Sequence, residues 1–402
     1  MKIRSITYFL NPKTEMQLKI ARAASHARSV KGMLTNAGIE VQTIRLATTP
    51  FPTWLDITHT MNALAQLKEL EEQARSDGFD FVSIGPALPE KPSSYEIIPN
   101  ILSSTNLFAS GLMTTPKKAL DTRAVKACAR IIHVCAGMSP DGFTNLRFAA
   151  LGNVSPGSPF FPAAYAIARK PGFGIAIEGA DLALEAFSTA KSIVEAQTNL
   201  ASRISLEAAR ILKVCQLPAN NSQDLIGIDF TLAPYPDGAI SIGHALEKLG
   251  VPALGKTGSV TAAAILMSAM QMAKYPRIGF NGLMMPVLED SYLAKRAAEG
   301  SLGIQDLLLY STVCGTGLDT IPLPGDITKE LLYAILLDVG SLSLRLKKPL
   351  TARLMPIPGK SVGDKTEFEF SYFANSRVMD PDTEPLTGLL AMEGLIPISS
   401  RN

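Results

Sequence analysis

Acidic side chains at the ends of β-rich segments are the residues of this chain best placed to do chemistry. Glu178 ends a predicted strand over residues 174–177, and Asp229 lies at the end of another. Asp319 and Asp326 stand on either side of a proline-rich turn. In parallel α/β folds, ligands bind at the carboxyl ends of the strands. We therefore predict a site in which Glu178, Asp229 and Asp319 are catalytic and Asp326 binds the substrate.

Two kinds of chemistry suit such acids. Converging carboxylates bind a hard divalent cation such as Mg²⁺ or Ca²⁺. They also act as general acid and base when one carboxylate raises the pKa of its neighbour. Structural roles are the alternative: Asp181 and Asp326 are each well placed to cap a helix, and Glu289 and Asp290 to lie in the first turn of one.

Cys314 is the candidate nucleophile. It stands in a glycine-rich turn, VCGTG at 313–317, where a nearby helix N-terminus or base would lower the thiol pKa. The alternative is a small buried residue packed in the turn. The other cysteines follow helical apolar patterns and show neither CxxC nor zinc-finger spacing: Cys128, Cys135 and Cys215.

Arg147 is the candidate for holding a substrate anion. It is a charge between β-like apolar neighbours, so it either grips a carboxylate with two hydrogen bonds or pairs with a structural acid. Residues 155–162, rich in proline, either cover the site or form a surface connection. Residues 250–257 match the pattern GxxxxGKT, but a helical pattern precedes them, which favours a turn between helices over a nucleotide-binding loop.

The elements that must position these residues alternate along the chain, which favours a largely parallel sheet clothed in helices. No segment reads as an interdomain linker, so we predict one α/β domain over residues 1–402. The predicted strands are 3–10, 39–46, 79–84, 146–151, 174–177 and 225–230. The predicted helices are 14–36, 61–75, 120–135, 181–215, 240–249 and 260–273.

Composition excludes several classes of protein. The 402 residues include 38 Lys and Arg against 36 Asp and Glu, a balance that argues against a nucleic-acid or membrane-surface partner. The 47% of hydrophobic residues indicates a globular chain. The N-terminus lacks the apolar core of a signal peptide, and the longest apolar run is too short to cross a bilayer. We expect a cytosolic protein with reduced thiols.

Several motifs together resemble the domain-of-unknown-function family 711. They are NLRFAA at 145–150, SPFFPAAY at 158–165, GFNGLMMPVLED at 279–290, STVCGTGLDTIPLPGD at 311–326, TARLMPIPGK at 351–360 and GLIP at 394–397. The resemblance implies a single large domain with the ten-stranded α/β barrel of pyruvate formate-lyase and surrounding helices. Within these motifs, Asn145 and Asn281 join Arg147 as substrate-binding candidates. Many relatives place a histidine where this chain has Ala166.

The barrel resemblance raises the question of radical chemistry. Glycyl-radical enzymes carry a glycine near the C-terminus in an Arg-Val-x-Gly setting. This chain has Arg377, Val378 and Met379 followed by Asp380 in the glycine's place. We therefore expect no glycyl radical.

Two functions follow from these residues. The first is a cytosolic enzyme that acts on a small polar or carboxylate metabolite through its strand-end acids and the Cys314 loop. The alternative is a regulatory protein that binds a metabolite or metal without turnover. A homodimer is one assembly that such a protein could form. A barrel by itself names no reaction.

Overall fold

Strands and helices alternate through the chain as the sequence indicates, and they form one α/β domain. A computed structural model describes residues 1–166, 171–215, 224–313 and 315–401. The strands are β1 Lys2–Leu10, β2 Val41–Thr48, β3 Phe81–Ala87, β4 Phe108–Leu112, β5 Ala119–Asp121, β6 Phe148–Gly152, β7 Gly172–Glu178, β8 Leu225–Ala233, β9 Gly317–Pro324, β10 Leu350–Ile357 and β11 Leu395–Pro397. The helices are α1 Met16–Asn36, α2 Thr60–Ser76, α3 Ser93–Glu96, α4 Ile98–Ser104, α5 Thr122–Ala136, α6 Ala180–Thr189, α7 Ile193–Cys215, α8 Ile242–Lys248, α9 Ser259–Met272, α10 Ser291–Ala298, α11 Ile304–Val313 and α12 Lys329–Arg345.

A nine-stranded, mostly parallel sheet organises the domain, in the order β8-β7-β1-β2-β3-β4-β6-β10-β9. The five strands from β1 to β6 in that order run parallel, whereas β7 is antiparallel to β1 and β10 is antiparallel to β6. The start of β1 therefore lies beside the end of β7, and Lys2 pairs with Glu178. Side chains near the beginning of β1 and β2 thus share one end of the sheet with the ends of β7 to β10.

The two faces of the sheet pack against different parts of the chain. Ile6 and Tyr8 of β1 belong to the main core with the helices, while Phe9 packs with Phe161 on the opposite face. That face is covered by residues 155–166, which we call the inserted segment. Its carbonyls accept hydrogen bonds from the sheet: Thr7 Oγ1 donates to Pro159 O at 2.9 Å, and Ser83 Oγ to Ala164 O at 2.8 Å. The segment is thus a buried part of the fold rather than a surface connection.

The predicted long helix over residues 181–215 is wrong, because the structure has two helices there, α6 and α7. The break has a local cause. The backbone N–H of Glu195 donates to Ser192 Oγ at 3.1 Å, and Glu195 Oε2 accepts from Lys191 N at 2.8 Å. This is a capping arrangement of the Ser-x-x-Glu type, which starts a new helix inside a continuous apolar pattern.

Two further segments settle sequence predictions. The strand predicted over residues 225–230 extends to Ala233, so Asp229 lies inside β8 rather than at its end. Residues 250–257 connect α8 to α9, which confirms a turn between helices. Gly255 is required there because an added Cβ would lie 1.5 Å from Ser301 O.

Within the described residues, no helix combines the length and the apolar character that a membrane crossing requires.

Candidate functional site

A cavity of about 410 Å³ lies at the end of the sheet where β1 and β2 begin. We call it the charged cavity, because its wall carries six charged side chains from six separate segments: Arg4, Arg45, Asp80, Glu289, Asp319 and Arg353. Aromatic side chains form most of the remaining wall: Phe81, Phe108, Phe160, Phe161, Phe370 and Tyr372. Its size falls in the range of small-molecule sites.

Glu289 holds two arginines at the cavity wall. It follows the short turn of helix over Val287–Glu289, directly before Asp290 begins α10. One carboxylate oxygen accepts from Arg353 Nη2 at 2.6 Å and the other accepts from Arg4 Nη2. Burial opposes its ionisation, but Arg4 and Arg353 hold the pKa of Glu289 below its ordinary value. Glu289 is therefore a fixed negative charge between two positive ones.

Asp319 also lines the cavity, and its environment shifts its pKa in the opposite direction from that of Glu289. Its Oδ1 accepts from Arg353 Nε at 2.5 Å, while Oδ2 accepts no hydrogen bond from the described residues. Burial raises the pKa of Asp319 above its ordinary value, Arg353 offsets part of the shift, and the charge on Glu289 adds to it. Two neighbouring carboxyl groups with opposite pKa shifts are a common arrangement for a proton-transfer site.

Glu178 lies directly behind this wall, where β7 ends. Its Oε2 accepts from Gln42 Nε2 at 2.8 Å and stands 3.5 Å from Arg4 Nη1. Its Oε1 is buried and has no hydrogen-bond partner among the described residues. Burial raises the pKa of Glu178, and Arg4 and Gln42 offset part of this shift. Arg4 and Gln42 both line the cavity, so the position of Glu178 suits it to orient these two side chains.

Arg45, in β2, is the arginine of the described wall that forms no ion pair, and Asp80, an acid of the same wall, accepts from the backbone N–H of Ile44 instead. Its guanidinium donates to Thr43 Oγ1 at 2.9 Å and makes no ion pair with any carboxylate in the described part of the chain. It lies over the rings of Phe81 and Phe161, at 5.5 and 5.2 Å from their centroids. Burial, together with the charge on Arg4, lowers the pKa of Arg45 to about 9, so the side chain remains charged at neutral pH.

Asp229 is fully buried in β8 and holds a turn in place rather than facing the charged cavity. Its Oδ2 accepts from Phe280 N at 2.7 Å, and its Oδ1 from Asn281 N at 2.9 Å and from Thr231 Oγ1. Gly279 must be glycine because an added Cβ would lie 2.2 Å from Asp229 Oδ2. Burial raises the pKa of Asp229 to about 6, against the lowering effect of these hydrogen bonds.

This shift predicts a pH dependence of stability. Because the folded protein holds the Asp229 proton up to a pH of about 6 and the unfolded chain releases it near its ordinary pKa, stability contributed by this group falls as the pH rises between the two values. We expect the difference in free energy of unfolding between the native protein and Asp229→Asn to fall by roughly 2 kcal/mol from pH 4 to pH 6. Urea unfolding at both pH values measures it. A difference that stays constant with pH would contradict the assignment.

The arginine and asparagine candidates from the sequence make hydrogen bonds within the fold. Arg147 donates to Leu102 O at 2.7 Å and to Thr105 O, both at the end of α4. Asn145 Nδ2 donates to Ile132 O at 2.9 Å. Asn281 Oδ1 accepts from Phe230 N at 3.1 Å and from Tyr275 OH at 2.8 Å. Their predicted role in substrate binding stays a prediction, and none of these side chains lines the charged cavity.

The remaining candidates divide between helix ends and one position outside the description. Asp326 is exposed after β9, and Thr328 rather than Asp326 caps α12 by accepting from Leu331 N. Asp290 caps α10, one position before the first turn in which the sequence placed it. Asp181 pairs with the N-terminal amine of Met1. Cys314 lies outside the described residues, so its predicted nucleophilic role stays a prediction.

The acids do not assemble into a metal-ligand set. In the described ranges, no group of three or more His, Cys, Asp or Glu side chains is placed to hold a metal ion. Glu178 and Asp229 lie on neighbouring strands but bind separate partners, and Asp319 binds Arg353. These residues do not fit the Mg²⁺ or Ca²⁺ site that the sequence allowed, so no step is assigned to a metal.

Sequence reasoning missed Arg4, Arg45, Glu289 and Arg353 as site residues. Arg45 and Arg353 carried the same signal that singled out Arg147, a charge between β-like apolar neighbours. Arg45 lies in the run VQTIRLAT of β2, and Arg353 in LTARLMPI of β10. A charged side chain on a buried strand face points to a partner or a ligand. Glu289 was assigned to a helix start, a role that its neighbour Asp290 fills.

Comparison with known proteins places the chain among proteins of unassigned function. The family model described as "Uncharacterised ACR (DUF711)" matches residues 1–375. A UPF0210 protein of Pyrobaculum arsenaticum is 29% identical over 379 residues, covering 90% of this chain and 83% of that protein. A UPF0210 protein of Pyrobaculum aerophilum is 30% identical, covering 84% and 78%. A UPF0210 protein of Acetivibrio thermocellus is 28% identical, covering 87% and 82%.

Proposed function

The chain belongs to the DUF711 family, and because that family is described as uncharacterised, we propose a function from the charged cavity itself. The protein is an enzyme that binds a small organic carboxylate with an apolar portion and transfers a proton on it. Arg45 binds the carboxylate and Asp319 moves the proton.

The observation that carries this proposal is the state of Arg45. A buried charge is stable when it is paired, and the other two arginines of the cavity wall are paired with Glu289. Arg45 instead presents its guanidinium beside two aromatic rings, without an acidic partner in the described residues. A ligand carboxylate would complete the pair with two charge-assisted hydrogen bonds. This assigns to Arg45 the role that the sequence suggested for Arg147.

The aromatic wall supports an apolar portion on the ligand. Phe160 and Phe161 come from the inserted segment, and Phe370 and Tyr372 come from the chain after β10. Six aromatic side chains around about 410 Å³ favour a ligand with an aliphatic or aromatic group of modest size. Such walls also exclude water, which strengthens charge interactions inside the cavity.

Asp319 supports proton transfer rather than binding alone. A carboxylate whose pKa is raised is the stronger base when ionised, and it also holds the proton long enough to return it. In the proposed step, a C–H bond next to a carbonyl breaks, its proton moves to Asp319 Oδ2, and the electron pair delocalises onto the carbonyl oxygen. Return of a proton from Asp319 reverses the step. Atoms and electrons balance without an oxidant or a second substrate.

We also propose that the sheet closes into the barrel that the family resemblance implies. Residues 277–286 support this, because they form parallel bridges to β8 at Ile228–Arg277, to Gly315 just before β9 at Leu283, and to β9 at Pro286–Asp319. The strands β8 and β9 are the two edges of the nine-stranded sheet. A connection across both edges would surround the charged cavity with strands on every side.

Binding of small organic acids tests the first half of the proposal. In a panel of monocarboxylic acids that includes 4-methyl-2-oxopentanoate and phenylacetate, at least one member is expected to raise the melting temperature by about 2 °C or more. Replacing Arg45 by methionine removes a charged hydrogen-bond donor, so the Kd for that acid is expected to rise roughly 10- to 100-fold. Isothermal titration calorimetry measures the change.

The matched variant is Arg147→Met, which changes the arginine that the sequence suggested. It is expected to lower stability through the lost bonds to α4 and to leave the Kd of the acid unchanged. If Arg147→Met weakens binding and Arg45→Met does not, the assignment of the anion to Arg45 is wrong. If no acid in the panel binds, the carboxylate proposal fails as a whole.

A further inference from the structure

A second cavity, of about 480 Å³, lies at the opposite end of the sheet from the charged cavity. Its wall includes Asn153, directly after β6, and Pro349, directly before β10. Those strands meet at this end, where Leu350 pairs with Gly152. We call it the lysine cavity, after Lys118 and Lys347 on its wall.

The charge of the lysine cavity has one sign. Lys118 and Lys347 line it, and none of the acidic side chains that the structure describes does. Lys118 Nζ donates to Asn153 Oδ1 at 2.5 Å, so one amide and one ammonium group are held together at the wall. Lys347 makes no ion pair with a carboxylate of the described residues. An anion is the ligand that such a wall attracts.

Ser158 supplies a second and independent sign of a ligand. It is 1% exposed, it lines the lysine cavity, and its Oγ has no hydrogen-bond partner among the described residues. A buried hydroxyl without a partner is costly, so native proteins seldom leave one. Ser158 thus lines a positively charged cavity, and its own buried hydroxyl lacks a partner among the described residues. A ligand oxygen would satisfy it.

The backbone of this wall is strained at the positions that carry its polar groups. Lys118, Asn153 and Lys347 have φ values of 61°, 52° and 53°, in the left-handed region that residues with a side chain rarely adopt. All three line the lysine cavity. At Lys347 this conformation ends α12, where Lys347 N donates to Leu344 O and Lys348 N to Ser343 O, so the fold itself imposes it and it is not a sign of a ligand.

We propose that the lysine cavity binds the phosphate group of a small metabolite. Two ammonium groups supply the charge, and the hydroxyls of Ser155, Ser158 and Ser400 supply donors to the several oxygens of a phosphate. The cavity exceeds the volume of a bare phosphate, so the remaining space accommodates the organic part of an ester. The ligand class therefore includes free phosphate and phosphate monoesters.

The two cavities are separate sites joined by one stretch of chain. Ser158 lines the lysine cavity, whereas Phe160 lines the charged cavity. Between them, the carbonyl of Pro159 is held by Thr7 Oγ1 at 2.9 Å. The phosphate site rests on Ser158 and the two lysines, so it does not depend on the function proposed for Arg45 and Asp319.

Titration calorimetry at near-physiological salt tests the phosphate site in the full chain, with inorganic phosphate and glycerol 3-phosphate as separate probes. We expect saturable binding of at least one probe with a Kd in the range of about 0.1–5 mM. Tighter binding of glycerol 3-phosphate identifies an ester as the better ligand, and equal or tighter binding of inorganic phosphate identifies the free ion. The double variant Lys118→Gln/Lys347→Gln is expected to weaken binding at least roughly 10-fold.

Two further variants separate ligand binding from folding. Ser158→Ala is expected to weaken binding roughly 3- to 10-fold without lowering the melting temperature, because the hydroxyl that it removes has no partner in the fold. Lys117→Gln alters an exposed lysine next to Lys118 that does not line the cavity, and it is expected to leave the Kd unchanged. Absence of saturation up to about 20 mM of both probes overturns the proposal. Binding that survives in the double variant, or that disappears in Arg45→Met, also overturns it, since the anion then sits elsewhere.

Discussion

Replacing Asp319 by asparagine is expected to slow the exchange of ligand C–H protons with solvent roughly 10²- to 10⁴-fold, the usual contribution of a positioned acid–base group. The substitution keeps the shape of the side chain, and the amide oxygen can still accept from Arg353 Nε. What it removes is the group that takes up and returns the proton. The measurement is the loss of the C3 proton signal of 4-methyl-2-oxopentanoate in D₂O, followed by NMR with and without the protein.

Two comparisons make this result specific. Asp338→Asn changes an exposed aspartate on α12, away from the charged cavity, and is expected to leave the exchange rate unchanged. Asp319→Asn is expected to retain ligand binding within a few-fold, because Arg45 holds the carboxylate. Binding by the native protein without any proton exchange would contradict the enzymatic proposal and favour a protein that binds its ligand without turnover.

The second large effect concerns stability, and it comes from Glu289. Changing Glu289 to glutamine is expected to lower the free energy of unfolding by about 3–5 kcal/mol, the usual result of removing one member of a buried charge network. The side chain of Glu289 is 5% exposed and those of its partners Arg4 and Arg353 are 14% and 10% exposed. The substitution therefore leaves two buried guanidinium groups competing for Asp319 and Glu178. Urea unfolding near pH 7 measures the loss.

An ion pair whose acid is exposed, and whose arginine keeps a second acidic partner in Glu247, is the matched control. Arg296 Nη1 lies 2.7 Å from Glu299 Oε2, but the side chain of Glu299 is 45% exposed. Glu299→Gln is expected to change stability by no more than about 1 kcal/mol, because water replaces the lost partner. Adding Arg4→Met to Glu289→Gln is expected to restore part of the loss, since one of the unpaired charges is then removed. A loss below about 1 kcal/mol in Glu289→Gln would show that the network does not stabilise the fold.

The same network has a pH dependence with a definite sign. Because Arg4 and Arg353 hold the pKa of Glu289 below its ordinary value, its contribution to stability is present above the unfolded pKa and is lost as the pH falls through the folded one. Asp319 and Glu178 have raised pKa values and act in the opposite sense, becoming less favourable as the pH rises. The Glu289→Gln difference should therefore shrink in acid.

The course of the secondary structure was largely predictable, because it depends on local patterns. The strand predicted over residues 3–10 is β1, and the helix over residues 120–135 corresponds to α5. The failures also have local causes: Ser192 and Glu195 start a helix inside a pattern that reads as continuous. The strand predicted over residues 225–230 ends three residues before β8 does. The extension includes Leu232, whose φ of 52° is not a conformation that an alternating pattern indicates.

The sequence by itself determined the alternation of strands and helices, the family, and the pool of acids and arginines from which a site could be built. Only the tertiary structure decided which of them meet. β1 and β7 are antiparallel, so Arg4 reaches Glu178 across 174 positions of chain, and Arg353 reaches Glu289 from a separate strand. Arg147 and Arg45 look alike in sequence, each a charge in an apolar run. Arg147 donates to backbone carbonyls at the end of α4, whereas Arg45 lies over the rings of Phe81 and Phe161. These neighbours are distant in the chain, so only the tertiary structure distinguishes the two arginines.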